Sequence, residues 1–119
     1  MAQYIDGFVI PVPKKKLGEY RRIAKIAGKV WRKHGALDYR ECVADDVQWG
    51  KSTSFPRSVK LKSNEVVVFS YIVHKSRKQR DRVNAKAMKD PRLAGMDPKK
   101  MPFDMRRMFW GGFNTLVKA

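Results

Sequence analysis

The sequence predicts an α+β fold of βαββαβ order, with a four-stranded antiparallel sheet covered on one side by two helices. Three patterns predict it. A helical period of 3.6 residues runs from Leu17 to Trp31, a near-continuous apolar stretch runs from Glu65 to His74, and a serine-capped second helix follows directly. A chain of 119 residues suits one domain over its whole length, 1–119, and can build one hydrophobic core without staples.

The elements follow in order. Tyr4–Ile10 is β-rich and apolar, which predicts a first strand ended by Pro11 and Pro13. In the next segment Leu17, Tyr20, Ile23, Ala24, Ala27, Val30 and Trp31 share one helical face, with Arg21, Arg22, Lys25, Lys29, Arg32 and Lys33 on the other. Gly35 supplies the stop. Leu37–Val43 alternates as a half-exposed strand does. Residues 45–64 are polar and punctuated by Gly, Ser and Pro, a long connection with a short turn of structure expected near Ser58–Leu61. Glu65–His74 has the composition of a strand covered on both faces. Ser76 and Gln79 form a capping box that opens a helix to about Met88. Asp90-Pro91 and Asp97-Pro98 each set a cap before a proline, so short helical turns are expected there. The last strand is expected over Met105–Val117, interrupted by Gly111-Gly112.

This order is the ferredoxin-like arrangement, in which strands one and three are central. Those two strands are here the most apolar on both sides, and the helices cover only one side. A bare second side would exceed the apolar patch that monomers tolerate, so a homodimer packed sheet on sheet is expected.

Composition bounds the function classes. Lys and Arg number 27 against 11 acids, a net charge of +16, which attracts polyanions without specifying one. A single cysteine, Cys42, excludes an internal disulfide, and no apolar run is long enough for a membrane span or signal sequence, so the reading is a cytoplasmic protein without a membrane partner. His34, His74 and Cys42 have no metal-ligand spacing, and no nucleotide-binding or nucleophile motif is present, so neither metal nor cofactor is expected. His34 is read as complementing the dipole of the first helix, and His74 as standing alone.

Asp6-Gly7-Phe8, Gly35-Ala36-Leu37 with Glu41-Cys42, Glu65–Ser70, Asp90-Pro91-Arg92, and Met101-Pro102-Phe103-Asp104 with Arg107-Met108 and Gly111-Gly112-Phe113 resemble the YbaA-like family of small bacterial proteins of unknown function. The resemblance runs nearly end to end. It implies a dimeric α+β barrel, two ferredoxin-like sheets closing around a cavity, an architecture shared with cofactor-independent monooxygenases, haem-degrading enzymes and small-ligand binders. Met105 departs from the glycine usual at that position, and the high positive charge is this chain's own.

The candidate site follows from polar groups in apolar settings. Asp6 shares a strand face with Tyr4 and Phe8, and Glu41 with Tyr39; each is either a proton-transfer group in the cavity or half of an ion pair. Arg80 and Asn84 lie on the arc of the second helix that holds Val83, Ala87 and Met88. Arg80 and Arg107 either pair with a carboxylate or meet an anionic ligand. With aromatic walls from Phe8, Phe69 and Trp110, these residues make the expected site for a small organic molecule. The competing expectation is non-specific nucleic-acid binding through Arg21, Arg22, Lys25, Lys29, Arg32 and Lys33, extended by Arg77, Lys78, Arg82, Lys86 and Lys89. The sequence names no reaction.

Overall fold

The computed structural model describes residues 2–119. Four strands, β1 (Tyr4–Pro13), β2 (Asp38–Val43), β3 (Glu65–His74) and β4 (Phe109–Asn114), form one antiparallel sheet in the order β2-β3-β1-β4. Helices α1 (Leu17–Lys33) and α3 (Arg77–Lys89) lie on one face, and two single-turn helices, α2 (Phe55–Ser58) and α4 (Pro91–Ala94), with two 3-10 turns, Lys14–Lys16 and Pro98–Lys100, complete the regular structure. This is the expected ferredoxin-like arrangement, with the two most apolar strands in the centre. No helix among the described residues is long and apolar enough to cross a membrane.

Strand β1 passes through both prolines instead of stopping at Ile10. Lys14 N–H donates to the Asn64 carbonyl at 2.8 Å, so even-numbered residues of β1 face β3 with their N–H groups. Pro11 and Pro13 therefore turn their missing N–H the other way, where β4, paired only from Tyr4 to Val9, offers no acceptor. Strand β4 is shorter than expected. Residues 105–107 are a turn, opened by Asp104, whose carboxylate accepts from Arg106 N–H at 3.0 Å and whose carbonyl accepts from Arg107 N–H. The turn expected near Ser58–Leu61 is centred earlier, on α2, because Ser54 caps it through Arg57 N–H and Pro56 occupies its first turn.

The sheet has two unlike faces. Tyr4, Asp6, Phe8, Ile10 and Val12 of β1, Val66, Val68, Ser70, Ile72 and His74 of β3, and Tyr39, Glu41 and Val43 of β2 share the register that faces the helices. Ile10, Val12 and Val68 pack with Tyr20 and Ala24 of α1, while Ile72 packs with Ala36 and with Val83 of α3. On the opposite face only one end is covered, where Val59 and Leu61 close over Val9 and Val67. The rest of that face leaves Phe69, Phe109 and Phe113 42%, 46% and 63% exposed.

Gly35, at φ 123°, ends α1 in a conformation that L side chains avoid, as the sequence leads one to expect. The Ser76 hydroxyl accepts from Gln79 N–H at 3.1 Å, but the Gln79 side-chain Oε1 accepts from Lys75 N–H, one residue before the cap. The Gln79 amide then donates to the Gly35 carbonyl at 3.0 Å, tying the start of α3 to the end of α1.

Candidate functional site

The expected site residues separate into four places. The first is a groove of about 720 Å³ between α1 and the edge strand β2. Its floor is built on Glu41. Period-two alternation puts Glu41 and Tyr39 on the same face of β2, and the first turns of α1 bring Tyr20 over them. The Tyr20 hydroxyl donates to Glu41 Oε1 at 2.7 Å and the Tyr39 hydroxyl to Oε2 at 2.6 Å. Burial, then the neighbouring carboxylate, pushes both phenols above the usual tyrosine range, so both stay protonated donors. Gly28 makes room for this arrangement: a Cβ there would meet Tyr39 Cδ1 at 2.9 Å.

Leu17, Ala24 and Val68 give the groove an apolar lining, and Arg21, Lys25, Lys29 and Arg32 stand along its helical wall, spaced about one turn apart. Arg32 also donates to the carbonyls of Ala36 and Leu37. Four members of the basic stripe thus wall the groove whose floor is Glu41, so one residue of the expected small-molecule site and four of the expected nucleic-acid site share one space. Arg22 and Lys33 do not line it.

The second place lies under the N-terminal half of α3. Asp6 is 1% exposed, and Arg80 reaches it from α3 with Nε 3.5 Å from Oδ1, while His74 Nε2 stands 3.5 Å from Oδ2. Arg80 also donates to the Tyr4 hydroxyl at 3.0 Å and lies over the rings of Tyr4 and Trp110. Phe8 stacks on Trp110 with ring centroids 6.0 Å apart. His74 is fully buried and, contrary to the expectation that it stands alone, lies against Asp6. In the sheet Tyr4 pairs with His74 and Asp6 with Ile72, so His74 is the diagonal neighbour of Asp6 on the same face. Asp6 is accordingly a buried ion-pair partner of Arg80 on the helix-covered face of the sheet. Asn84 is held by the Trp31 indole, which donates to its Oδ1 at 3.0 Å, and Met88 is 63% exposed, outside the apolar arc.

The third place is a clasp at the start of β4. Arg107 donates to both Glu65 oxygens, at 2.8 and 2.6 Å, to Asp104 at 3.1 Å, and to the Val59 and Lys60 carbonyls. Its donors are spent inside the protein, so it ties β3, the α2 loop and β4 together. The Arg107 hydrogen bonds hold the Glu65 carboxyl below the usual carboxylate range. His34, at the end of α1, bonds Asp90 at 3.0 Å, a carboxylate that Arg92 already holds well below its usual range.

The fourth is the open sheet face, which carries Phe69, the one expected wall residue on that side. A small apolar pocket of about 310 Å³ lies there beside Cys42 and Phe69. Among the described residues, no three His, Cys, Asp or Glu side chains come together as a metal site.

Comparison with known proteins is consistent in sequence and fold. Residues 3–105 match the family described as "Protein of unknown function (DUF1428)". The uncharacterised protein YbaA of Escherichia coli K12 is 44% identical over 97% of both chains, and YbaA of Shigella flexneri is equally similar. Among solved structures, a dimeric ferredoxin-like protein from an uncultured marine organism superposes with a TM-score of 0.60 at 9% identity, covering all of both chains.

Proposed function

The chain belongs to the DUF1428 family of proteins of unknown function, and we propose that it works by binding a small organic acid that also carries a hydroxyl or amino group. The observation that carries this reading is the doubly bonded Glu41 at the floor of a cation-walled groove. A carboxylate has about four lone-pair sites, and two phenols use only two of them. The remainder accept a ligand donor, while Arg21, Lys25 and Lys29 draw in an anionic group and the apolar lining takes the carbon skeleton. With both oxygens already hydrogen-bonded, Glu41 holds and orients a ligand. An oxygenase-like conversion, of the kind carried out by some proteins of the same barrel architecture, is a narrower reading, checked as oxygen uptake during incubation with the same acid.

Calorimetric titration with 4-hydroxybenzoate and benzoate tests the proposal. The hydroxylated acid is expected to bind about 10-fold or more tightly than benzoate, because a hydrogen bond to a charged group is worth roughly 1.5–3 kcal/mol. Glu41→Gln removes that preference, and the double change Lys25→Ala/Lys29→Ala weakens both acids. Equal binding of the two acids, or none by either, overturns the reading.

The row of cations along α1 supports a second reading, non-specific binding of a nucleic-acid strand. Asp38 and Glu41 line the same groove and oppose a continuous polyanion, which favours the small acid. Salt-dependent binding of random single-stranded RNA, abolished by neutralising Arg21, Arg22, Lys25 and Lys29 and unaffected by Glu41→Gln, would turn the choice the other way.

For assembly, the exposed phenylalanines of the open sheet face support a homodimer packed sheet on sheet.

A further inference from the structure

Among the described residues the most exposed large apolar ones are Leu116 and Val117, at 96% and 79%. They follow Thr115, which is fixed to the sheet: its N–H and its hydroxyl both donate to the Gln3 carbonyl, at 3.0 and 2.8 Å. At the diagonally opposite corner of the sheet, on the open face, sits the apolar pocket of about 310 Å³. Val67, Phe69, Phe55 and Cys42 line it, and Asp45 and Asp46 stand at its rim.

We infer that Leu116 and Val117 of one copy dock into this pocket of a second copy, an inference that rests on the sheet-on-sheet dimer proposed above. The pair cannot fill the pocket of their own chain. Asn114 of β4 lies level with His74, five residues along β3 from Phe69 and two strands away, a diagonal of about 20 Å at ordinary strand spacings. Val117 is two residues beyond the anchored Thr115, a reach of about 7 Å.

Charge chooses the same occupant. In a chain of net charge +16, two adjacent acids rim the pocket, and Lys118 follows the apolar pair directly. Symmetry permits the exchange. A two-fold axis lying between the two sheets, perpendicular to the line from tail to pocket and crossing it at its midpoint, sets each tail on the other copy's pocket. The contact is then made twice, and each pocket is completed by the partner.

The protein's one cysteine supplies the test, because Cys42 is exposed and lines the pocket. L116C and V117C variants are oxidised mildly, run on a non-reducing gel and mapped by mass spectrometry, with C42S/L116C and C42S/V117C as controls. Light scattering on the wild type gives the assembly state. A disulfide between Cys42 of one chain and the thiol introduced by L116C or V117C in the other, absent from the controls, is the expected result. L116D/V117D is expected to weaken the dimer at least 10-fold with little change in the melting temperature measured at subunit concentrations where both proteins are monomeric. A dimer that forms neither bond overturns the docking of the tail and leaves the sheet-on-sheet dimer standing. A monomeric wild type overturns that dimer itself, and a bond within one chain overturns the exchange.

Discussion

Gly112 lies against Tyr4 so closely that a Cβ would come within 2.7 Å of two ring carbons, Cε2 and Cζ. Gly112→Ala must displace the tyrosine that accepts from Arg80, and overpacking of this kind costs about 1–3 kcal/mol. The expected outcome is a lower melting temperature with unchanged affinity for the acid ligand, since the groove lies at the other edge of the sheet. Arg107→Ala leaves Glu65 buried without its partner, a loss on the order of 3 kcal/mol by chemical denaturation. The same pair sets an acid limit. Glu65 has its folded pKa lowered first by the Arg107 hydrogen bonds, and Asp104 first by the Arg106 N–H and then by Arg107. Groups depressed on folding contribute stability that is present in full above the unfolded carboxylate range, near 4. That contribution is lost as pH falls through the lower folded values. Melting temperature should therefore be flat above about pH 5 and drop below about pH 4, with a shallower drop in Arg107→Ala.

At the scale of elements, α3 depends on its first turn. It is polar along most of its length and buries only Val83 and Ala87, so packing alone holds it weakly. Ser76 satisfies one of its free N–H groups, and Ser76→Ala is expected to cost about 1 kcal/mol in equilibrium unfolding. The loss should be matched by faster amide exchange at the start of α3, where Gln79 also clips the end of α1. Helix α1 needs no such cap. Tyr20, Ala24 and Val30 bury a continuous stripe against the sheet, and the same turns that bury Tyr20 and Ala24 present Arg21 and Lys25 to the groove. The 3.6-residue period therefore supplies both the packing face and the cationic wall.

For the whole molecule, one sheet face is sealed by helices and the other leaves three phenylalanines open. Phe69→Asp or Phe113→Asp puts a charge on that open face, where the isolated chain is hardly affected because both side chains are already exposed. Each variant is expected to run as a monomer in light scattering, with a circular dichroism spectrum like that of the wild type. A dimer unchanged by both substitutions would place the interface elsewhere.

The order of elements, the central strands, the long amphipathic helix and its glycine stop, the capped start of α3 and the paired faces of Tyr39 with Glu41 were all legible in the sequence. Each follows from a local period or a turn preference acting within a few residues. Strand β1 outran its prolines because the side to which they turn has no strand, a fact of sheet order. His74 met Asp6, Arg107 met Glu65, and Asn84 was taken by Trp31 through pairings between residues 42 to 68 positions apart. The resemblance placed the site in a cavity between two sheets; the fold put Glu41 under α1, beside the very lysines that the helical wheel had set on the face opposite the apolar one. Period and composition determined which faces are apolar, basic or β-rich. Only the tertiary structure decided which face meets which, because the partner of a buried charge is chosen by strand register and helix position, and neither is written within any one segment.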